Sequence, residues 1–155
     1  MVDKLAQDVV QLLRQHNLRV SFAESCTGGM VSAAITSVSG ASEVLDLSIT
    51  TYANPAKIQY TDVTDEVLSV YGAVSSQTAL LMAQGIKARA DADIGVGITG
   101  IAGPDGGTVE KPVGTVYVAV NSNVKHFLFT GNRKEIREQT TIHALMMCRD
   151  AVHDI

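Results

Sequence analysis

The chain has 155 residues, 46% of them hydrophobic, and a formal charge of −4. That length suits one domain with a full core and is short for two, so residues 1–155 are read as a single domain. The acidic balance and the absence of Trp exclude a basic nucleic-acid surface and a base-stacking platform, and no apolar run reaches the roughly 18–20 residues of a membrane helix.

Met1-Val2-Asp3-Lys4 lacks the charged-then-apolar design of a secretory signal. From Val2 to His16, Leu5, Val9, Leu12 and Leu13 recur at the spacing of an amphipathic helix. Leu18 to Ala23 reads as a strand, and Gly28 to Val38 as a helix with small side chains. Ser39-Gly40-Ala41-Ser42 breaks it, and Val44 to Tyr52 predicts a second strand. Asn54-Pro55 signals a helix start, with Asn as cap and Pro in the first turn. Thr64 to Tyr71 predicts a short helix closed by Gly72. Ser75 caps the next, Gln77 to Ala90, with Leu80, Leu81 and Ile86 as buried candidates.

Ala92 to Thr99 is a third strand, followed by a long loop, 100–113. Gly114 to Val120 and Val124 to Thr130 predict a hairpin around Asn121-Ser122-Asn123. Asn132 and Glu135 make a capping-box pattern that opens the last helix. Helix–strand alternation followed by a hairpin predicts an α/β layered domain with a mixed sheet.

In such sheets ligands bind where loops leave the carboxyl ends of strands. Three such loops carry unusual chemistry: 24–29, 52–57 and 100–107. The first, Glu24-Ser25-Cys26-Thr27-Gly28-Gly29, places hydroxyls and a thiol beside the exposed amides of a helix start, a setting for an anion or an oxyanion. Ser25 is either a nucleophile or a turn cap. Cys26 is the rival nucleophile, since a thiol at a helix N-terminus is acidified. Glu24 either positions the pair, binds substrate hydroxyls or caps a neighbouring turn.

In the second loop, Lys57 sits in the first turn of a helix, where a cation is disfavoured. Burial would lower its pKa further, and a neutral amine beside Ser25 can take the hydroxyl proton. A solvated surface lysine is the other reading. The third loop bends at Gly100, Gly103, Gly106 and Gly107, and Lys111 in its last part is placed to reach a phosphate. His16, His126, His143 and His153 show no ligand-like spacing, and Cys26 and Cys148 form no metal-type pair. A reduced, cytoplasmic protein is expected, as is self-association of a small domain rich in Ala and Val.

Taken together, five ordered segments resemble the CinA C-terminal domain family. They are 23–29 (Ala-Glu-Ser-Cys-Thr-Gly-Gly), 51–57 (Thr-Tyr-Ala-Asn-Pro-Ala-Lys), 72–75 (Gly-Ala-Val-Ser), 97–107 (Gly-Ile-Thr-Gly-Ile-Ala-Gly-Pro-Asp-Gly-Gly) and 111–117 (Lys-Pro-Val-Gly-Thr-Val-Tyr). The resemblance implies a three-layer α/β/α sandwich with a mixed, mostly parallel sheet. It also implies hydrolysis of the carboxamide of nicotinamide mononucleotide to nicotinic acid mononucleotide and ammonia, by a Ser/Lys dyad without metal or other cofactor. On matching positions Ser25 becomes the nucleophile and Lys57 its base. Tyr52, Thr99 and the loop from Gly100 through Gly103, Asp105 and Gly106 line the substrate site. Glu24, Cys26, Thr27, Gly28, Gly29 and Lys111 complete the substrate-binding set, the amides at 26–29 holding the oxyanion. The only partner expected is the small nucleotide substrate, with no nucleic acid and no membrane.

The family's usual Tyr-Ser-Asn-Glu-Ala-Lys reads here Tyr52-Ala53-Asn54-Pro55-Ala56-Lys57, so a hydroxyl and a carboxylate are missing beside the base. Many members carry a larger N-terminal domain resembling molybdopterin-binding proteins, whose activity is not assigned to these residues. A non-catalytic nucleotide sensor in competence or DNA-damage responses, and an amidase for another amide, are the alternative functions.

Overall fold

The computed structural model describes residues 1–155. Its first helix, α1 (Val2–Gln15), turns Leu5, Ala6, Val9, Val10 and Leu13 inward, the face its sequence period dictates. Strand β1 (Val20–Glu24) leads through a turn into α2 (Met30–Thr36). This helix starts later than the expected residue 28. Gly28 and Gly29 have φ of +59° and +101°, left-handed values that belong to the turn and suit residues without a Cβ.

Strand β2 (Leu45–Thr50) is followed by α3 (Asn54–Tyr60), α4 (Asp65–Tyr71) and α5 (Ser76–Ala90). Ala53, not Asn54, occupies the α3 cap position, and no side chain caps it. Thr64 and Ser75 cap α4 and α5 through hydrogen bonds from Val67 N and Thr78 N. Strand β3 (Ile94–Gly100), the hairpin β4 (Thr115–Val120) and β5 (Asn123–Leu128), and α6 (Arg133–Ala151) complete the chain. The predicted capping box forms: Glu135 N donates to Asn132 Oδ1 at 2.9 Å and Asn132 N to Glu135 Oε1 at 3.1 Å.

The five strands lie in the order β2-β1-β3-β4-β5. β1 pairs parallel with β2 and β3, and the β3–β4 and β4–β5 pairs are antiparallel. Four strands therefore point one way and β4 alone the other, the mixed and mostly parallel sheet expected.

Side chains alternate across the strands and divide the molecule into layers. Val20 and Phe22 of β1, with Ile94, Val96 and Ile98 of β3, face a core shared with α1, α2 and α6. Burying a side chain such as Phe22, which has no exposed surface, contributes about 2 kcal/mol. The opposite side is paved with Ala23, Gly95, Gly97 and Ala119, against which α5 lies close. A Cβ at Gly97 would stand 2.2 Å from Ala79 O, so only glycine admits the helix at that depth. Within α5, Thr78, Ala79, Met82, Ala83, Gly85 and Ile86 are buried, whereas Leu80 and Leu81 are only half-buried at the edge of that face. No helix is long and apolar enough to cross a membrane.

Candidate active site

Because β1, β2 and β3 are parallel neighbours, their carboxyl ends share one edge of the sheet. The three loops singled out from the sequence meet there. They surround a cleft of about 230 Å³ lined by Ser25, Cys26, Tyr52 and the loop residues Gly100, Gly103, Asp105 and Gly106. Arg133, at the start of α6, closes its rim.

β1 runs one residue beyond its expected end, so Ser25 follows the last strand residue directly. Ser25 N donates to Ile98 O at 3.0 Å, which fastens the start of the turn to β3. Beside it, Thr51 N donates to Glu24 O at 2.8 Å and carries the β1–β2 ladder one step past Thr50. The chain then enters α3, and Lys57 in its first turn points back under the loop. Lys57 Nζ lies 3.1 Å from Ser25 Oγ and donates to Thr51 O and Tyr52 O, each at 2.9 Å.

Lys57 is 2% exposed, and burial pushes its amine down from the ordinary 10.5 to about 8. No carboxylate bonds to it; its partners are two carbonyls and one hydroxyl. A neutral amine has two N–H donors and one lone pair. The two carbonyls take both donors, and the lone pair is left for the Ser25 hydroxyl. The ammonium form has three donors and finds three acceptors in the same places. The site thus accommodates the amine before and after it gains a proton. Thr51 Oγ1, buried in the same segment, has no hydrogen-bond partner.

Glu24 and Thr27 do not face the cleft as the substrate-binding set implied, and of the readings open for Glu24 the cap is the one observed. Both have no exposed surface, and Thr27 Oγ1 donates to Glu24 Oε1 at 2.6 Å. The Glu24 carboxylate also accepts from Val31 N, Ser32 N and Ser32 Oγ, so it caps the start of α2. Strand parity explains this, since Glu24 shares the face of Val20 and Phe22 and points into the α2 layer. Gly28 and Gly29 shape the turn and do not line the cleft, and Gly28 N is spent on Ser25 O at 3.0 Å. The amides of Cys26, Thr27 and Gly29 make no backbone hydrogen bond.

Cys26 lines the cleft but is 6% exposed. Burial pushes its thiol up to about 12, and the Glu24 charge adds to that. Near neutral pH it is a thiol, not the acidified nucleophile its position suggested. Thr99 also turns away: its hydroxyl donates to Ala73 O at 2.7 Å and ties down the loop before α5. Lys111 donates to Tyr71 O at 2.7 Å, at the end of α4, and is absent from the cleft.

The sequence model of the CinA C-terminal domain matches residues 2–152. The chain belongs to the CinA C-terminal domain family. A CinA-like protein of Kosmotoga olearia is 47% identical over 154 residues, which is 97% of this chain and 37% of that relative. The chain therefore spans little more than a third of the curated relatives it resembles. Among solved structures, the competence/damage inducible protein CihA of Agrobacterium tumefaciens is 43% identical, with a TM-score of 0.92 covering 98% of this chain and 95% of that one. A CinA superfamily protein of Klebsiella pneumoniae is 31% identical, with a TM-score of 0.95 over 100% of this chain and 99% of the other. The five-stranded mixed sheet flanked by helices is thus the architecture of the CinA superfamily structures.

Sequence reasoning missed two arginines of this CinA domain. Arg133 Nη1 donates to Gly103 O at 2.8 Å and Nη2 to the Tyr52 hydroxyl at 3.3 Å, which makes it the cation of the cleft in place of Lys111. Arg137, one turn further on, donates from Nε to Cys26 O at 2.9 Å and from Nη2 to Thr27 O at 3.2 Å. A signal for Arg133 was present. It is a cation in the first turn of a capped helix, the adverse placement that had already drawn attention to Lys57.

Proposed function

We propose that this domain hydrolyses the carboxamide of nicotinamide mononucleotide, releasing ammonia and nicotinic acid mononucleotide, with Ser25 as nucleophile and Lys57 as its base. One observation carries the amidase reading: a buried lysine amine, held near pH 8 by burial, stands 3.1 Å from a serine hydroxyl at the wall of a cleft. The choice of a pyridine nucleotide rests on the family resemblance.

In this reading neutral Lys57 accepts the Ser25 proton as Ser25 Oγ bonds to the carboxamide carbon. The carbonyl π pair moves onto oxygen, where the amide of Cys26, the turn residue that lines the cleft, is its donor. One such donor is typically worth about 3 kcal/mol in the transition state. Collapse of the intermediate breaks the C–N bond, Lys57 returns the proton to the departing nitrogen, and ammonia leaves. Water then adds to the acyl-serine by the same route, giving the carboxylate and restoring Ser25. Arg133 is the anion contact for the nucleotide phosphate, beside the glycine loop. Binding at that remote group aligns the amide for attack.

The test is ammonia release from nicotinamide mononucleotide, its riboside and nicotinamide. Release from the mononucleotide supports the reading. Tight binding of the mononucleotide without product supports a sensor instead, and faster turnover of another amide moves the substrate. The cytoplasmic location and the self-association expected from the sequence go with this reading, tested by fractionation and sedimentation.

A further inference from the structure

The turn that carries Ser25 is held from two sides. From the α2 side, the Glu24 carboxylate binds Thr27 Oγ1 and the amides of Val31 and Ser32. From α6, Arg137 reaches across more than a hundred residues of sequence to Cys26 O at 2.9 Å and Thr27 O at 3.2 Å. A guanidinium is a planar fork, and here two of its arms meet two successive carbonyls. A point-charge ammonium cannot match both.

Peptide planarity turns those contacts into an orientation. In a trans peptide the C=O of one residue opposes the N–H of the next. Arg137 on Cys26 O therefore sets the direction of the Thr27 N–H, and Arg137 on Thr27 O sets that of the Gly28 N–H. The Gly28 N–H is already bonded to Ser25 O, so that second plane is fixed at both ends. The first plane is fixed at its oxygen alone, and its Thr27 N–H has no backbone partner. Thr27 has no exposed surface, so what this plane sets is the shape of the turn behind Ser25. The arginine stands close on this turn, since a Cβ at Gly28 would meet Arg137 Nη2 at 3.2 Å.

We propose that Arg137 is a positioning residue that locks the Cys26–Thr27 and Thr27–Gly28 peptide planes and so fixes the turn that sets Ser25 against Lys57. This rests on the reading of Ser25 as nucleophile. Arg137 itself touches neither substrate nor the reacting atoms; it acts through the turn.

The experiment compares the wild-type chain with Arg137→Ala and Arg137→Lys. It measures kcat and KM for nicotinamide mononucleotide, the rate at which a fluorophosphonate labels Ser25, and backbone amide dynamics at 26–28 by NMR. In Arg137→Ala we expect kcat and the labelling rate to fall about ten- to a hundredfold with KM nearly unchanged, and the 26–28 amides to become mobile. Arg137→Lys should recover little, and guanidinium at low, non-denaturing concentration should restore part of the rate to Arg137→Ala. Loss of rate that only follows loss of folded protein, or unchanged 26–28 amides in a slowed Arg137→Ala, overturns the proposal. If the wild type labels but releases no ammonia, the substrate assignment fails while the labelling and NMR arms still judge Arg137. A wild type that does neither overturns both.

Discussion

The amine of Lys57 stands 3.1 Å from the hydroxyl of Ser25, and its other two partners are the carbonyls of Thr51 and Tyr52. A buried lysine kept for structure is ordinarily paired with a carboxylate, because an unpaired buried charge is costly. Here the nearby carboxylate, Glu24, is committed to the α2 start, and the lysine answers burial by losing affinity for its proton. An amine in that state suits the base of the proposed dyad, and the consequences can be measured.

Turnover should rise with pH through about 8. A base must be neutral to accept the serine proton, and Lys57 becomes neutral as pH passes the value to which burial has pushed it. The kcat/KM for ammonia release, followed from pH 6 to 10, should show that rising limb. Ser25→Ala and Lys57→Ala should each lose nearly all activity while keeping the circular dichroism of the folded chain. A flat profile, or an active Ser25→Ala, would remove the dyad from the account.

The same group should leave a mark on stability. Its folded pKa, about 8, lies below the ordinary 10.5, so between those values the unfolded chain binds more protons and stability rises with pH. Below pH 8 both states are protonated and the full cost of burying the ammonium is present. Above 10.5 that cost is gone, and the interval is worth about 3 kcal/mol. Lys57→Met leaves two carbonyls unpaired, so its absolute stability is no guide; the slope is. Urea unfolding at pH 7 and pH 10 should show the wild type gaining on Lys57→Met, and parallel curves would contradict it.

Much of the fold was legible because local signals agreed with the long-range arrangement. Ser75 and the Asn132–Glu135 box act within a turn of themselves, and each forms as its spacing indicated. Convergence of the three loops followed from β1, β2 and β3 being parallel neighbours, which is a property of topology and not of the loops. What was not legible depended on parity and on distance. Ending β1 at Ala23 hid that Glu24 shares the Phe22 face, and so hid that the cap, among the readings open for Glu24, is the one that forms. Lys111 and Arg133 are both cations near the glycine loop, in sequence or in space. Only the path of the 100–113 loop, which carries Lys111 to Tyr71 and leaves Gly103 to Arg133, separates them.

Cys26 should prove dispensable for chemistry. Its thiol is buried and pushed up to about 12, so the reactive thiolate is scarce at neutral pH despite its place beside Ser25. Cys26→Ala should keep turnover within about threefold and lose about 1 kcal/mol of stability from the packing given up beside Gly100. Iodoacetamide at neutral pH should not inactivate the native chain. Rapid inactivation that Cys26→Ala abolishes would restore the thiol as the nucleophile.

Arg133 and Lys111 should separate cleanly in kinetics. Arg133 is exposed at the cleft rim, and its guanidinium is held by Gly103 O and the Tyr52 hydroxyl, both neutral, so its charge is not spent on an acid. A charge-assisted contact to a phosphate is worth about 1.5–3 kcal/mol, so Arg133→Ala should raise KM for the mononucleotide about ten- to a hundredfold. The uncharged riboside makes no such contact, and its KM should not move. Lys111→Ala should leave both values within about twofold, because its amine is bonded at Tyr71, outside the cleft. The comparison is decisive in either direction. If Lys111→Ala rather than Arg133→Ala weakens the mononucleotide alone, the phosphate sits against the far end of the glycine loop, and the cleft between Ser25 and Arg133 is not where the nucleotide lies.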